Sequence, residues 1–260
     1  GIQIQMKLYL ISGLPRSGRH FLTTVIDQNP KFYTAVETPL CELVYRQFSL
    51  WVDKDREYQE DLLNDKIRNM QHPFLKNYIA NFYSNLTNKK IVFDSSFSWH
   101  NRYNIWMLKL ICEEAPKVIC CVRDMEEIAA SYTNLYNNNG RFFEEYLVYD
   151  GTDLIKTYNE LWKTRSSSFR GSLHIVKYND LVDDHDNTMK KIYKFIEQPY
   201  FKTDFKKIKR NKDYDKAEEL HRLKGLHNIK EGLEKSDTDI NKTLSKIQIK
   251  YWKRMNWWNR

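Results

Sequence analysis

The sequence predicts an α/β fold in which a central parallel sheet lies between helical layers, a three-layer sandwich, and three observations lead there. Short apolar runs of strand length alternate along the chain with longer stretches whose apolar residues recur at helical spacing. Strands separated by helices pair in parallel through right-handed crossovers. The 260 residues, 41% of them hydrophobic, suffice for one large domain, so 1–260 is expected to be a single unit.

Residues 6–12 read as the first buried strand. Residues 13–18 supply turn chemistry, and Phe21, Leu22, Val25 and Ile26 then recur at helical spacing until Asn29-Pro30 stops them. Three further apolar strands follow at 90–94, 117–122 and 173–178. Between them lie one helix with Phe74, Leu75, Tyr78, Ile79, Phe82 and Leu86 on a single stripe and another with Leu154, Ile155, Tyr158, Leu161 and Trp162. Residues 242–258 return to a helix with Leu244, Ile247 and Tyr251 on one side, expected to pack back on the domain. Ligands bind at the carboxyl ends of the strands in such a sheet. The loops after Ser12, Asp94, Val122 and Tyr178 are therefore expected to converge on one crevice.

Charge is unevenly spread. From Lys202 to Arg260 there are 17 basic and 9 acidic residues, against 25 of each before, so the whole net charge of +8 belongs to the last quarter and points to a local anionic partner. The four cysteines include the neighbours Cys120 and Cys121, whose side chains leave a strand on opposite faces, and no C-x-x-C pair suggests zinc. No apolar run approaches the roughly 20 residues that cross a bilayer. The first strand begins almost at Met6, leaving no room for a signal peptide, so a cytoplasmic protein with no membrane partner is expected.

Gly13-Leu14-Pro15-Arg16-Ser17-Gly18 has the G-x-x-x-x-G spacing of a phosphate-binding loop, in which backbone N–H groups and a helix N-terminus face an anion. A nucleoside triphosphatase would continue with Lys and then Ser or Thr to hold phosphates and magnesium. Arg19 and His20 stand there instead, and no metal is expected. After a first strand, the Leu-Pro-Arg-Ser-Gly string resembles the 5'-phosphosulfate loop of sulfotransferases that use 3'-phosphoadenosine-5'-phosphosulfate.

That resemblance implies a P-loop NTPase-like fold and a site assembled from several segments. Pro15, Arg16, Ser17, Gly18, Arg19 and His20 would surround the 5'-phosphosulfate, with Arg16 neutralising charge on the leaving phosphate. Arg123, closing the strand at 118–122, and Ser131, eight residues on, resemble the family's 3'-phosphate site; a guanidinium fork and a hydroxyl suit a phosphate. Tyr178-Asn179-Asp180-Leu181 resembles the segment whose tyrosine lies near the adenine. Leu223-Lys224-Gly225-Leu226-His227 resembles the late segment that folds over the 3'-phosphate, with Lys224 adding charge and Gly225 allowing close approach, so that the basic segment 202–260 closes over the nucleotide.

Glu37-Thr38, just past the helix after the loop, matches the tyrosylprotein branch of the family, where the glutamate takes the acceptor proton. A carboxylate does this when its surroundings raise its pKa. Pro39 replaces a basic residue of that branch, so peptide recognition does not carry over. Ser95 stands nearest the position where many family members have a catalytic lysine, which leaves Arg16 and Arg19, or a lysine from elsewhere, to supply the charge. His100 is a second candidate base and His20 a third. The resemblance implies sulfuryl transfer to a hydroxyl or amine of a small-molecule or glycan acceptor, with adenosine 3',5'-bisphosphate as product. Aromatic residues between Val44 and Lys89 could stack on a sugar or phenol, or simply fill the core. Two other readings stay open: a P-loop kinase of a small metabolite, and a non-catalytic anion- or nucleic-acid-binding module using the basic quarter with Tyr251, Trp252, Trp257 and Trp258.

Overall fold

The structure, a computed structural model, describes residues 6–52, 65–143, 152–208, 224 and 239–260. Its sheet has five parallel strands in the order β2-β3-β1-β4-β5: β1 (Lys7–Gly13), β2 (Phe32–Ala35), β3 (Ile91–Ser95), β4 (Val118–Val122) and β5 (Leu173–Lys177). In β4, Val-Ile-Cys-Cys-Val is buried throughout, as a strand covered on both faces should be. Cys121 faces one helical layer and Cys120 the other, and all four cysteines are free thiols.

On the first face, Tyr9, Ile11, Phe93, Ile119, Cys121 and Val176 pack against α1 (Arg19–Asp27) and against Met189, Ile192 and Tyr193, which lie in the helix His185–Phe195. The opposite face has two groups of helices. Near β3, Leu10, Val92 and Val118 meet α2 (Leu40–Val52) and the helices Gln71–Ser84 and Arg102–Cys112. Near β4, Cys120 and Val122 meet the helix Met125–Asn138, the helix Thr152–Arg165 and the carboxyl-terminal aromatics Trp252 and Trp258. The helices leaving β1 and β4 therefore run to opposite faces. The carboxyl ends of those two strands form the switch point at which ligands bind in sheets of this kind.

Several elements depart from the sequence reading. The edge strand β2 was not anticipated: four residues between a Pro30 stop and a loop give too short a run to show alternation. The stripe of the helix Gln71–Ser84 is Leu75, Ile79 and Tyr83, while Phe74 and Leu86 are exposed. At the carboxyl end, the helix is broken after Thr243 and restarts at Lys246 behind a capping box of Ser245 and Gln248. The restart changes the phase, so Leu244, Trp252 and Trp258 pack on the domain, whereas Ile247 and Tyr251 are 83% and 57% exposed. No helix among the described residues is long and apolar enough to cross a membrane.

Candidate active site

The loop after β1 is fastened to β4. Gly13 has φ +148, and a Cβ there would lie 2.3 Å from the Cys121 carbonyl oxygen, so only glycine lets the two strand ends approach this closely. Leu14 N–H donates to that oxygen at 3.0 Å. The Ser17 hydroxyl lies 2.6 Å from Leu14 O and 3.0 Å from Cys121 O, so its proton serves the loop itself. Pro15 is buried and Arg16 adopts a left-handed φ of 60. Gly18, φ +87, begins α1, and a Cβ there would lie 2.4 Å from the Tyr178 ring. The first N–H groups of α1 lack intrahelical acceptors and sit at the positive end of the helix dipole.

The β4 side of the switch point gathers four of the residues singled out in the sequence. Arg16 Nε donates to Ser131 Oγ at 3.1 Å. Burial pulls the Arg16 guanidinium below arginine's ordinary pKa; Tyr132 opposes the shift and the charge of Arg123 adds to it, which puts the two arginines within each other's field. Arg123 donates from Nε to Glu127 Oε2 at 2.6 Å and lies over the Tyr178 ring, 5.1 Å from its centroid. Tyr178 opens the short helix Tyr178–Asp183 rather than ending β5, and its ring packs edge-on against Phe21.

The β3 side is organised around Arg19. This side chain is only 2% exposed; it donates to Ser95 Oγ and to Glu37 Oε1, each at 2.6 Å, and stacks 3.9 Å above the Phe97 ring. Its Nε is buried with no hydrogen-bond partner among the described residues. Glu37 is 52% exposed, and His20 Nε2 lies 3.5 Å from the same Oε1. The guanidinium of Arg19 thus reaches Ser95, the residue that the resemblance puts nearest the family's lysine position.

One participant went unrecognised in the sequence. Asp94 is buried at the end of β3 and accepts hydrogen bonds from Thr38, from the Tyr83 hydroxyl and from Trp99 Nε1. Burial raises its pKa, opposed by those three donors and by the charge of Arg19. Through Thr38 it fixes the residue next to Glu37. An acidic residue inside an apolar strand, followed by Trp99, was the available signal.

The remaining residues lie elsewhere. His100 is buried with Nδ1 at 2.8 Å from Ser12 Oγ and Nε2 at 3.0 Å from Thr157 O, and burial drives its pKa down to about 4, so the ring is neutral. Thr157 O only accepts, so a neutral ring carries its proton on Nε2, and the single Ser12 hydroxyl proton is then divided between Nδ1 and Ser96 O, 2.7 Å away. The backbone of Lys224 is held at both N–H and C=O by the side chain of Asn139, at 2.9 and 3.1 Å. Asn139 lies about 12 Å along the helix axis from Ser131, at 1.5 Å per residue. Gly225 lies outside the described residues.

The sequence profile of the sulfotransferase family matches residues 10–202, which include the loop, both arginine clusters and Tyr178. The chain belongs to the sulfotransferase family. No curated protein sequence matches it. Among solved structures, it is similar to a sulfotransferase from Alicyclobacillus acidocaldarius, with 12% identity over 83% of this chain and 90% of that one and a TM-score of 0.50. It is also similar to mouse sulfotransferase SULT7A1 complexed with PAP (14% identity, 97% and 83% covered, TM-score 0.49). A third is the sulfotransferase domain of the Synechococcus PCC 7002 olefin synthase (18% identity, 75% and 74% covered, TM-score 0.49). The five-stranded parallel sheet with helices on both faces is the P-loop NTPase-like fold of this family.

Proposed function

We propose that this family member transfers a sulfuryl group from 3'-phosphoadenosine-5'-phosphosulfate to a hydroxyl or amine of a small-molecule or glycan acceptor. The observation that carries the reading is the gathering of Arg16, Arg123 and Ser131 beside the α1 N-terminus and above Tyr178. Two like charges within each other's field repel, and an anion between them relieves that. The cluster therefore fits the donor's phosphates: Arg16 and the α1 N–H groups toward the 5' end, Arg123 and Ser131 toward the 3'-phosphate, Tyr178 beside the adenine.

The donor supplies the sulfuryl group and leaves as adenosine 3',5'-bisphosphate, and the chain's own residues move the proton and meet the charge. As the acceptor oxygen bonds to sulfur and the sulfur–phosphate oxygen bond breaks, Arg16 and Arg19 stabilise charge on the departing phosphate. Arg19 takes over the missing lysine's part because it is already held at Ser95. The acceptor proton passes to Glu37, whose Oε1 is bonded to Arg19 while its half-exposed side chain leaves Oε2 for the acceptor. His20 steadies Glu37. His100, neutral and bonded at both nitrogens, supports the turn after β3 rather than acting as base. Lys224, held at Asn139, belongs to the basic segment 202–260 that the resemblance brings over the nucleotide, of which residues 209–223 and 225–238 lie outside the described residues.

A P-loop kinase would need a lysine and a magnesium-binding hydroxyl where Arg19 and His20 stand. Calorimetric titration separates the readings. Adenosine 3',5'-bisphosphate is expected to bind in the presence of a metal chelator. Binding of magnesium-ATP without the bisphosphate would instead indicate the kinase, and salt-sensitive binding of random oligonucleotides alone would indicate the non-catalytic module.

A further inference from the structure

The helix Met125–Asn138, which carries Ser131 and follows Arg123, is capped from the opposite end of the chain. Asp124 occupies its N-cap position, yet the Asp124 side chain makes no capping hydrogen bond. Its Oδ1 is engaged by Asn259 Nδ2 at 2.7 Å and by Trp258 Nε1 at 3.4 Å. The first helical N–H, of Met125, donates at 2.8 Å to Asn256 Oδ1, across 131 residues of sequence. The other end of the same amide, Asn256 Nδ2, donates to Glu126 Oε2 at 2.7 Å. Asn256 and Glu126 are both buried, and Trp252 and Trp258 anchor the segment against Met125 and Ala129.

A buried helix donor and a buried carboxylate are thus satisfied by one side chain, and only a carboxamide offers an acceptor and a donor in that arrangement. The two residues it grips, 125 and 126, lie between Arg123 and Glu127, the pair joined at 2.6 Å. Loosening this turn frees the backbone on which the Arg123 guanidinium is mounted, at a helix end where cap loss is felt first. We propose that Asn256 is a positioning residue for the 3'-phosphate side of the donor site, so that the chain's carboxyl-terminal segment sets how well the 3'-phosphate is recognised. The proposal rests on the reading of Arg123 and Ser131 as 3'-phosphate ligands.

The test compares binding of adenosine 3',5'-bisphosphate with that of adenosine 5'-monophosphate, which lacks only the 3'-phosphate. The natural chain is expected to prefer the bisphosphate. Asn256→Ala is expected to shrink that preference about tenfold, the scale of one lost cap, while monophosphate affinity stays unchanged. Asn256→Asp faces Glu126 with a second carboxylate and is expected to lose the preference as well. Adding Glu126→Gln to Asn256→Asp keeps the acceptor for Met125 N–H and restores an amide donor between the two side chains, and with it the preference. A merely structural role would weaken both nucleotides together and would overturn the proposal. So would an undiminished preference in Asn256→Ala beside a lost one in Arg123→Ala, which leaves the reading of Arg123 standing. No preference in the natural chain would overturn that reading, and this proposal with it. The Asp–Gln swap is close to isosteric and keeps the test decisive even where the alanine variant does not fold.

Discussion

The two arginine clusters flanking the loop each hold an arginine–carboxylate pair, but the β4 side adds a second arginine to it. On the β3 side, Arg19 is buried and bonded to Glu37 and Ser95, a charge already matched before any ligand arrives. On the β4 side, Glu127 matches Arg123 at 2.6 Å, and Arg16 brings a second guanidinium into the field of Arg123. A matched pair suits a group that must hold a base in place and lend charge only as the reaction proceeds. Adjacent like charges suit a group whose task is to bind an anion. The difference places the base and the arginine that holds it on one side and 3'-phosphate affinity, through Arg123, on the other. Arg16, at the loop, also meets charge on the departing phosphate. Substitutions at Arg19 and Arg123 can break that division.

The largest effect is expected at Glu37. Glu37→Gln should lower kcat by about 10²- to 10⁴-fold, the usual range for a lost general base, with bisphosphate affinity retained; calorimetry beside a turnover assay reads both. Arg19→Ala should lower kcat by about 10²- to 10³-fold, the scale of losing one charge-stabilising donor. Arg19→Lys should recover only part of this, because a single ammonium cannot bond Ser95 and Glu37 as the guanidinium fork does. A smaller effect, on binding rather than turnover, is expected from Arg123→Ala: bisphosphate affinity should fall by about 10- to 100-fold, the worth of a charged hydrogen bond, with little change for adenosine 5'-monophosphate.

How much of this was legible in the sequence follows from which interactions are local. The loop, its glycines and the strands β1, β3, β4 and β5 announce themselves in contiguous residues, so the fold class and the meeting of loops at the strands' carboxyl ends followed from pattern alone. Arg123 and Ser131 were singled out because their spacing, set by a strand and a helix turn, resembles the family's 3'-phosphate site. The contact of Arg19 with Ser95 joins residues 76 apart, and the hub at Asp94 collects Thr38, Tyr83 and Trp99 from three segments; neither has a sequence period. The short strand β2, which delivers Glu37, lies at the sheet edge and is too brief to alternate. The packing face of the carboxyl-terminal helix was misjudged because Ser245 restarts it and shifts its phase.

His100 supplies a prediction that leaves turnover aside. Its folded-state pKa of about 4 lies below the ordinary histidine value of 6.5, so the unfolded chain binds the proton more readily. The stabilising effect of keeping it neutral is complete above pH 6.5 and is lost as the pH falls toward 4, a loss on the order of 3 kcal/mol. Denaturant midpoints measured across that window should fall with acid in the natural chain and fall less in His100→Gln, while bisphosphate affinity at neutral pH is unaltered.

The division between the two clusters is tested most directly by titrating adenosine 3',5'-bisphosphate and adenosine 5'-monophosphate into Arg19→Ala and Arg123→Ala side by side. Arg123→Ala should lose the preference for the bisphosphate and Arg19→Ala should keep it. Loss of the preference in Arg19→Ala with its retention in Arg123→Ala would contradict the assignment of 3'-phosphate affinity to Arg123 and of chemistry to Arg19.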